Sequence, residues 1–175
     1  MVKFIKEFLK ESVWISSNLD INKISLIVKL IKECKKKNGR IFFLGVGGSA
    51  GNASHAVNDF RKIVGIEAYA PTDNVSELTA RTNDEGWSEI FVKWLETSKL
   101  NKKDMIFIFS VGGGNIKKNI SVNLIKAIKL AKKKNSKIIS IVGKKNGYAA
   151  KNSNVSLIIP VKNPELLTPF SEAYQ

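Results

Sequence analysis

His55 and Asp59 are residues whose types and spacing suit proton transfer. Four positions apart on a helix, they share a face. An imidazole titrating near neutrality beside a carboxylate can move a proton. The same nitrogen and oxygen can also ligate a metal ion. His55 is the only histidine, and a lone histidine can equally cap or pack near a helix start. A glycine loop precedes the pair, in the segment Arg40-IFFLGVGGSAGNAS-His55, and a second ends Met105-IFIFSVGGG-Asn115. Gly47 and Gly48 close one apolar run; Gly112, Gly113 and Gly114 close the other. Glycine admits positive φ and lets backbone N–H groups approach a ligand closely. A helix starting just after such a loop aims more N–H groups, and its positive dipole end, at an anion. Two such loops on two parallel strands suit a phosphorylated small molecule held between them.

Polar turns add candidates. Asp73 or Asn74 is placed to cap a following helix, and Asn83-DE-Gly86 reads as a turn. Both lie in a stretch that can instead hold sugar hydroxyls. Gly45, Gly47 and Ala50 also fit the dinucleotide pattern G-x-G-x-x-A. That pattern wants an acidic residue closing the next strand, whereas Glu67 opens one. The second loop has no place in a dinucleotide site, so no nucleotide cofactor is expected.

These residues need a frame to hold them. Phe4, Ile5, Phe8, Leu9, Val13 and Trp14 outline a first helix. Asp20 is the expected N-cap of a second, with Gly39 as its C′ glycine. Strands are expected at 41–44, 67–70, 105–109, 137–142 and 155–159. Helices are expected at about 50–64, 76–82, 88–98, 121–134 and 148–152, with one more beginning in the tail. Strands alternating with helices give a parallel sheet covered on both faces. Ligands in such sheets bind outside the carboxyl ends of the strands. The pattern reads as one domain over 1–175, with residues 1–39 as N-terminal helices whose apolar faces suit oligomerisation and 40–175 as the ligand-binding core.

Composition narrows the partners. No apolar run reaches the ~18 residues of a membrane helix. The single Cys34 excludes an internal disulfide and a cysteine cluster for zinc, and points to the cytoplasm. The net charge is +14, but arginine occurs only at Arg40, Arg61 and Arg81. Base readers and phosphate forks favour arginine. The lysine clusters fall at expected helix C-termini, where they complement the dipole. No nucleic-acid or membrane partner is expected.

GVGGSAGNASHAVNDF, TDNVSELTARTNDEGW, FSVGGGNIKKN and SEAYQ together resemble the sugar isomerase (SIS) domain, and most closely the phosphoheptose isomerases. The resemblance spans nearly the whole chain. It implies a flavodoxin-like, five-stranded parallel sheet, a homotetramer with active sites between subunits, and zinc close to the site in many members. It assigns Gly47, Gly48 and Ser49 to the substrate loop, and Ser110 with Gly112, Gly113, Gly114 and Asn115 to the phosphate. It puts Asp84 near sugar hydroxyls. It makes His55 a metal-ligand position, Asp59 a metal ligand and acid/base residue where the family has glutamate, and Glu172 a site residue where the family has glutamine. With His55 and Asp59, Glu172 completes the expected catalytic and metal set.

The chain departs from that pattern in places. Val46 replaces a loop asparagine. Val111, Gly112 and Gly114 remove hydroxyls from the phosphate turn, which leaves backbone N–H groups, Ser110 and Lys117 or Lys118. The family's second histidine falls about two helical turns beyond Glu172, past Gln175, so the last helix reads as cut short. The implied reaction interconverts sedoheptulose 7-phosphate and a D-glycero-D-manno-heptose 7-phosphate through an enediol. Asp59 or Glu172 is the base, its pKa raised if closure desolvates it. The other reading is a non-catalytic SIS module that senses a sugar phosphate or binds a protein.

Overall fold

The computed structural model describes residues 1–175. Helices α1 (Val2–Ser17) and α2 (Ile21–Lys36) precede β1 (Ile41–Leu44). Helix α3 (Gly48–Asp59), continued by a π turn over Phe60–Val64, leads to β2 (Ala68–Tyr69). Next come α4 (Val75–Asp84), α5 (Ile90–Thr97) and β3 (Met105–Ser110). The chain then runs through α6 (Val122–Lys133), β4 (Lys137–Val142), α7 (Tyr148–Asn152), β5 (Val155–Ile158) and α8 (Leu167–Ala173).

All five strands are parallel, in the order β2-β1-β3-β4-β5. This is the expected flavodoxin-like sheet. Strands β1 and β3 are buried along their whole length, as befits a sheet covered on both faces. Their side chains alternate between two cores. Ile41, Phe43, Met105, Phe107 and Phe109 pack with residues of α1, α2, α3 and α8. Phe42, Leu44, Ile106 and Ile108 pack with residues of α5, α6 and α7. The two-residue period of a strand puts neighbours on opposite faces.

Asp20 caps α2 as expected, accepting from the Lys23 N–H at 3.0 Å. Gly39 does not end that helix; Asn38 takes the left-handed turn, at φ 51. Gly39 is needed for a close approach, since a Cβ there would stand 2.0 Å from the Lys103 carbonyl oxygen. The strand expected over 67–70 shortens to Ala68–Tyr69 at the sheet edge, where Pro71 opens a 3₁₀ turn.

Helix α1 closes over the tail. Phe8 stacks on Phe170 with ring centroids 4.6 Å apart. The Tyr174 hydroxyl donates to the Ser12 carbonyl at 2.7 Å, and Glu11 Oε1 accepts from the Lys162 N–H at 2.7 Å. Val2, Ile5, Leu9 and Val13 remain exposed. Their spacings of three and four residues put them along one stripe of α1. No helix is long and apolar enough to cross a membrane.

Candidate active site

The crevice lies between β1 and β3. Leu44 pairs with Ile108, so the two glycine loops start near the same edge. From there β1 runs through α3 to β2, and β3 runs through α6 to β4 on the other side. Chains diverging from adjacent strands leave a ligand crevice at this switch point.

The first loop turns at Gly47, with φ 64, directly before α3. The Gly47 carbonyl accepts from Ala50 and Gly51 at 2.9 and 3.3 Å. The N–H groups of Gly48 and Ser49, the first of α3, have no partner in the chain. They aim the positive end of α3 at the crevice. Ser49 is only 2% exposed, so it shapes this loop from beneath and does not present its hydroxyl at the surface. Glu172 reaches the same place from α8. A Cβ on Gly48 would sit 2.5 Å from Glu172 Oε2, so glycine is what lets the carboxylate lie there. The Asn52 amide fixes this docking by donating to the Glu172 carbonyl at 2.7 Å. Asn52 escaped the sequence reading; its signal was a polar side chain one turn into the helix after a glycine loop.

The second loop is more internally bonded than its sequence suggests. Ser110 is buried, and its Oγ accepts from the Gly113 N–H at 3.0 Å. The Asn115 N–H donates to Ile120 at 2.9 Å, and its Oδ1 accepts from the Lys118 N–H at 3.0 Å. Only the Gly112 and Gly114 amides in the expected phosphate turn are left without partners. Gly113 and Gly114 take positive φ, at 68 and 83. Helix α7 buttresses them: the Ala149 and Tyr148 N–H groups donate to the Gly113 and Gly114 carbonyls at 2.8 and 2.9 Å.

His55 Nε2 and Asp59 Oδ2 stand 3.4 Å apart, and the imidazole is mostly exposed. They line a pocket of ≈ 370 Å³ with Asn52, over Phe43, Phe60 and Phe107. At ~1.5 Å of rise per residue, His55 and Asp59 lie about 10 and 16 Å along α3 from Gly48. The structure thus joins Glu172 to loop one and sets the His55–Asp59 pair further down the helix. No three His, Cys, Asp or Glu side chains gather as a metal-holding group. His55 and Asp59 offer donor types that zinc accepts, but zinc takes three or four protein ligands. The expected set of His55, Asp59 and Glu172 is not assembled within one chain.

Asp84 lies exposed at the end of α4, its carboxylate accepting from its neighbour Asn83 at 2.8 Å. Asn74 caps α4 through the Glu77 N–H at 3.2 Å, and Asp73 accepts from the Ser54 hydroxyl of α3. This polar segment is thereby tied to the helix that carries His55.

Residues 7–143 match the SIS domain family. The chain belongs to the SIS domain family. Within it, the chain is 33% identical over 171 residues to the phosphoheptose isomerase of Sulfurimonas denitrificans, covering 91% of this chain and 84% of that protein. It is 30% identical over 164 residues to the phosphoheptose isomerase of Helicobacter pylori, covering 89% and 81%. It therefore stands among the phosphoheptose isomerases of the SIS family. The solved phosphoheptose isomerases of Neisseria gonorrhoeae and Francisella tularensis share its fold, with TM-scores of 0.81 and 0.84 at 22% identity. Each match covers 99% of this chain, and 98% and 91% of the respective structure.

Proposed function

We propose that this SIS protein is a phosphoheptose isomerase, converting sedoheptulose 7-phosphate to D-glycero-D-manno-heptose 7-phosphate. One observation carries the reading. An anion site and a carboxylate meet at the β1/β3 switch point of a chain that is 33% identical to a phosphoheptose isomerase.

The phosphate sits on the Gly112 and Gly114 amides, far from the reacting carbons, and contributes remote binding energy. The sugar's carbonyl end lies toward loop one and Glu172. A carboxylate removes a proton from C1 of the ketose while the C2 oxygen gains one, giving the enediol. The proton then returns at C2 while the C1 hydroxyl gives up its own, leaving the aldose. Positioned acid/base groups typically contribute ~10²–10⁴-fold. Asp59, at the family's acid/base position, and Glu172, a carboxylate where the family has glutamine, are the two acid/base groups, and Glu172 lies at the crevice of its own chain. The His55–Asp59 pair lies about two and three turns further along the same side of α3, and we assign it to the crevice of a second copy.

That division requires an oligomer, for which we propose the tetramer, assembled through the exposed stripe of α1. Sedoheptulose 7-phosphate and a single buried thiol suit the cytoplasm. Zinc is proposed only for the assembly, with donors from another copy added to His55 and Asp59; no step is assigned to it. Metal content of the purified oligomer checks this, with bound zinc lost on His55→Ala as the expected result.

Mixing two inactive variants tests the shared site. Glu172→Gln and Asp59→Asn each lower kcat at least 100-fold, the low end of ~10²–10⁴-fold for an acid/base group. Refolded together, they regain activity, because some sites take an intact Glu172 from one copy and an intact Asp59 from another. Mixtures no more active than either variant alone would place both groups on the same chain's site.

A further inference from the structure

The phosphate turn offers two free amides and no free hydroxyl, which is little charge compensation for a phosphate dianion. The surrounding sequence is lopsided. Between Met105 and Pro164 there are twelve lysines and no Asp or Glu. Four of those lysines sit on the two loops that flank the turn.

Lys117 and Lys118 form the tip of the hairpin closed by the mutual Asn115–Ile120 backbone bonds, at 2.9 and 3.0 Å. From Gly114 to Lys117 is three residues, at most about 11 Å of extended chain. Lys144 and Lys145 lie on the loop between β4 and α7. That loop touches the phosphate turn on both sides: the Gly143 N–H donates to the Val111 carbonyl at 3.0 Å. A Cβ on Gly147 would stand 2.3 Å from the Gly112 carbonyl oxygen. All four lysines are exposed, and none forms an ion pair within the chain. Lys132 and Lys133 are also exposed and without an ion pair, but they sit in the last turn of α6, where they complement its dipole.

Two further features mark this rim as built for an anion. Ser121 precedes α6 in the left-handed conformation, φ 48, and makes no side-chain cap. The Val122 and Asn123 N–H groups are open, while that of Leu124 donates to Asn123 Oδ1 at 2.8 Å. Asn123, in that first turn, is 1% exposed, and its Nδ2 donor has no partner.

We propose that Lys117, Lys118, Lys144 and Lys145 form a cationic rim that recognises the substrate's phosphate, supplying by charge what the missing hydroxyls do not supply by hydrogen bonds. Lysine heads on flexible stems suit this role, as compact point charges that follow the dianion. Because the rim is exposed, its attraction is long-ranged and screened by salt. The proposal rests on the sugar-phosphate reading of the crevice.

The test compares the unmodified protein with a variant carrying Lys117→Gln, Lys118→Gln, Lys144→Gln and Lys145→Gln, and with a control carrying Lys132→Gln and Lys133→Gln. Binding of inorganic phosphate and of sedoheptulose 7-phosphate is measured directly by calorimetry at low and high sodium chloride, alongside turnover. The rim variant is expected to bind both ligands at least tenfold more weakly at low salt. Its KM rises similarly, kcat stays within twofold, and the salt dependence of binding largely disappears. The control behaves as the unmodified protein. Unchanged phosphate affinity in the rim variant, or an equal loss in the control, would overturn the rim. Rim-dependent binding of the sugar phosphate without turnover would leave the rim standing and remove the isomerase reading instead.

Discussion

Glu172 and Gly48 are coupled by contact, and that coupling can be cut without touching the carboxylate. Alanine at 48 would place its methyl 2.5 Å from Glu172 Oε2. The carboxylate is the far end of a flexible side chain, so it moves and the fold stays. Replacing glycine in a helix by alanine itself gains up to ~1 kcal/mol. Gly48→Ala should therefore keep or raise the melting temperature while lowering kcat at least tenfold. A variant that is stable and fully active would detach Glu172 from the chemistry. Sequence alone pointed to both residues, but not to their contact. Spacing along a chain does not report which turn a distant helix docks on. The same holds for Ser110, legible as a phosphate-loop residue, whose hydroxyl turns out to accept from Gly113.

At the scale of elements, the strands and most helices were legible because buried parallel strands are short, continuous apolar runs and the helices between them are amphipathic. The expected strand over 137–142 and helix over 148–152 coincide with β4 and α7. What the pattern did not carry was how loops are braced. Helix α7, five residues long, was legible in the sequence, but its hold on the phosphate turn through Gly147 was not. A methyl there meets the Gly112 carbonyl oxygen, which belongs to backbone and cannot swing aside. Gly147→Ala is thus expected to displace the turn. Calorimetry should show phosphate binding weakened at least fivefold, although residue 147 is assigned no ligand contact. Unchanged affinity would mean that the turn is not the phosphate site.

Over the whole molecule, α1 divides its surface between two tasks. Phe8, Glu11, Ser12 and Trp14 hold the tail of their own chain, while Val2, Ile5, Leu9 and Val13 are left to solvent. The apolar periodicity of this helix was plain in the sequence, but the sharing of it between tail and surface was not, since the tail's position is a long-range fact. Leu9→Glu should break the oligomer, seen by light scattering as a smaller species with unchanged helical content by circular dichroism. Activity should fall with the loss of shared sites. An intact, active tetramer bearing Glu at position 9 would move the interface elsewhere.

The reaction itself remains the most direct test. Sedoheptulose 7-phosphate is incubated with the protein in deuterated water and followed by NMR. The expected result is the appearance of the heptose 7-phosphate aldose, with solvent deuterium at C2 of the product and at C1 of the recovered ketose, as an enediol whose proton exchanges with water requires. Sedoheptulose 7-phosphate that binds, yet gives no aldose and takes up no deuterium, would contradict the isomerase assignment.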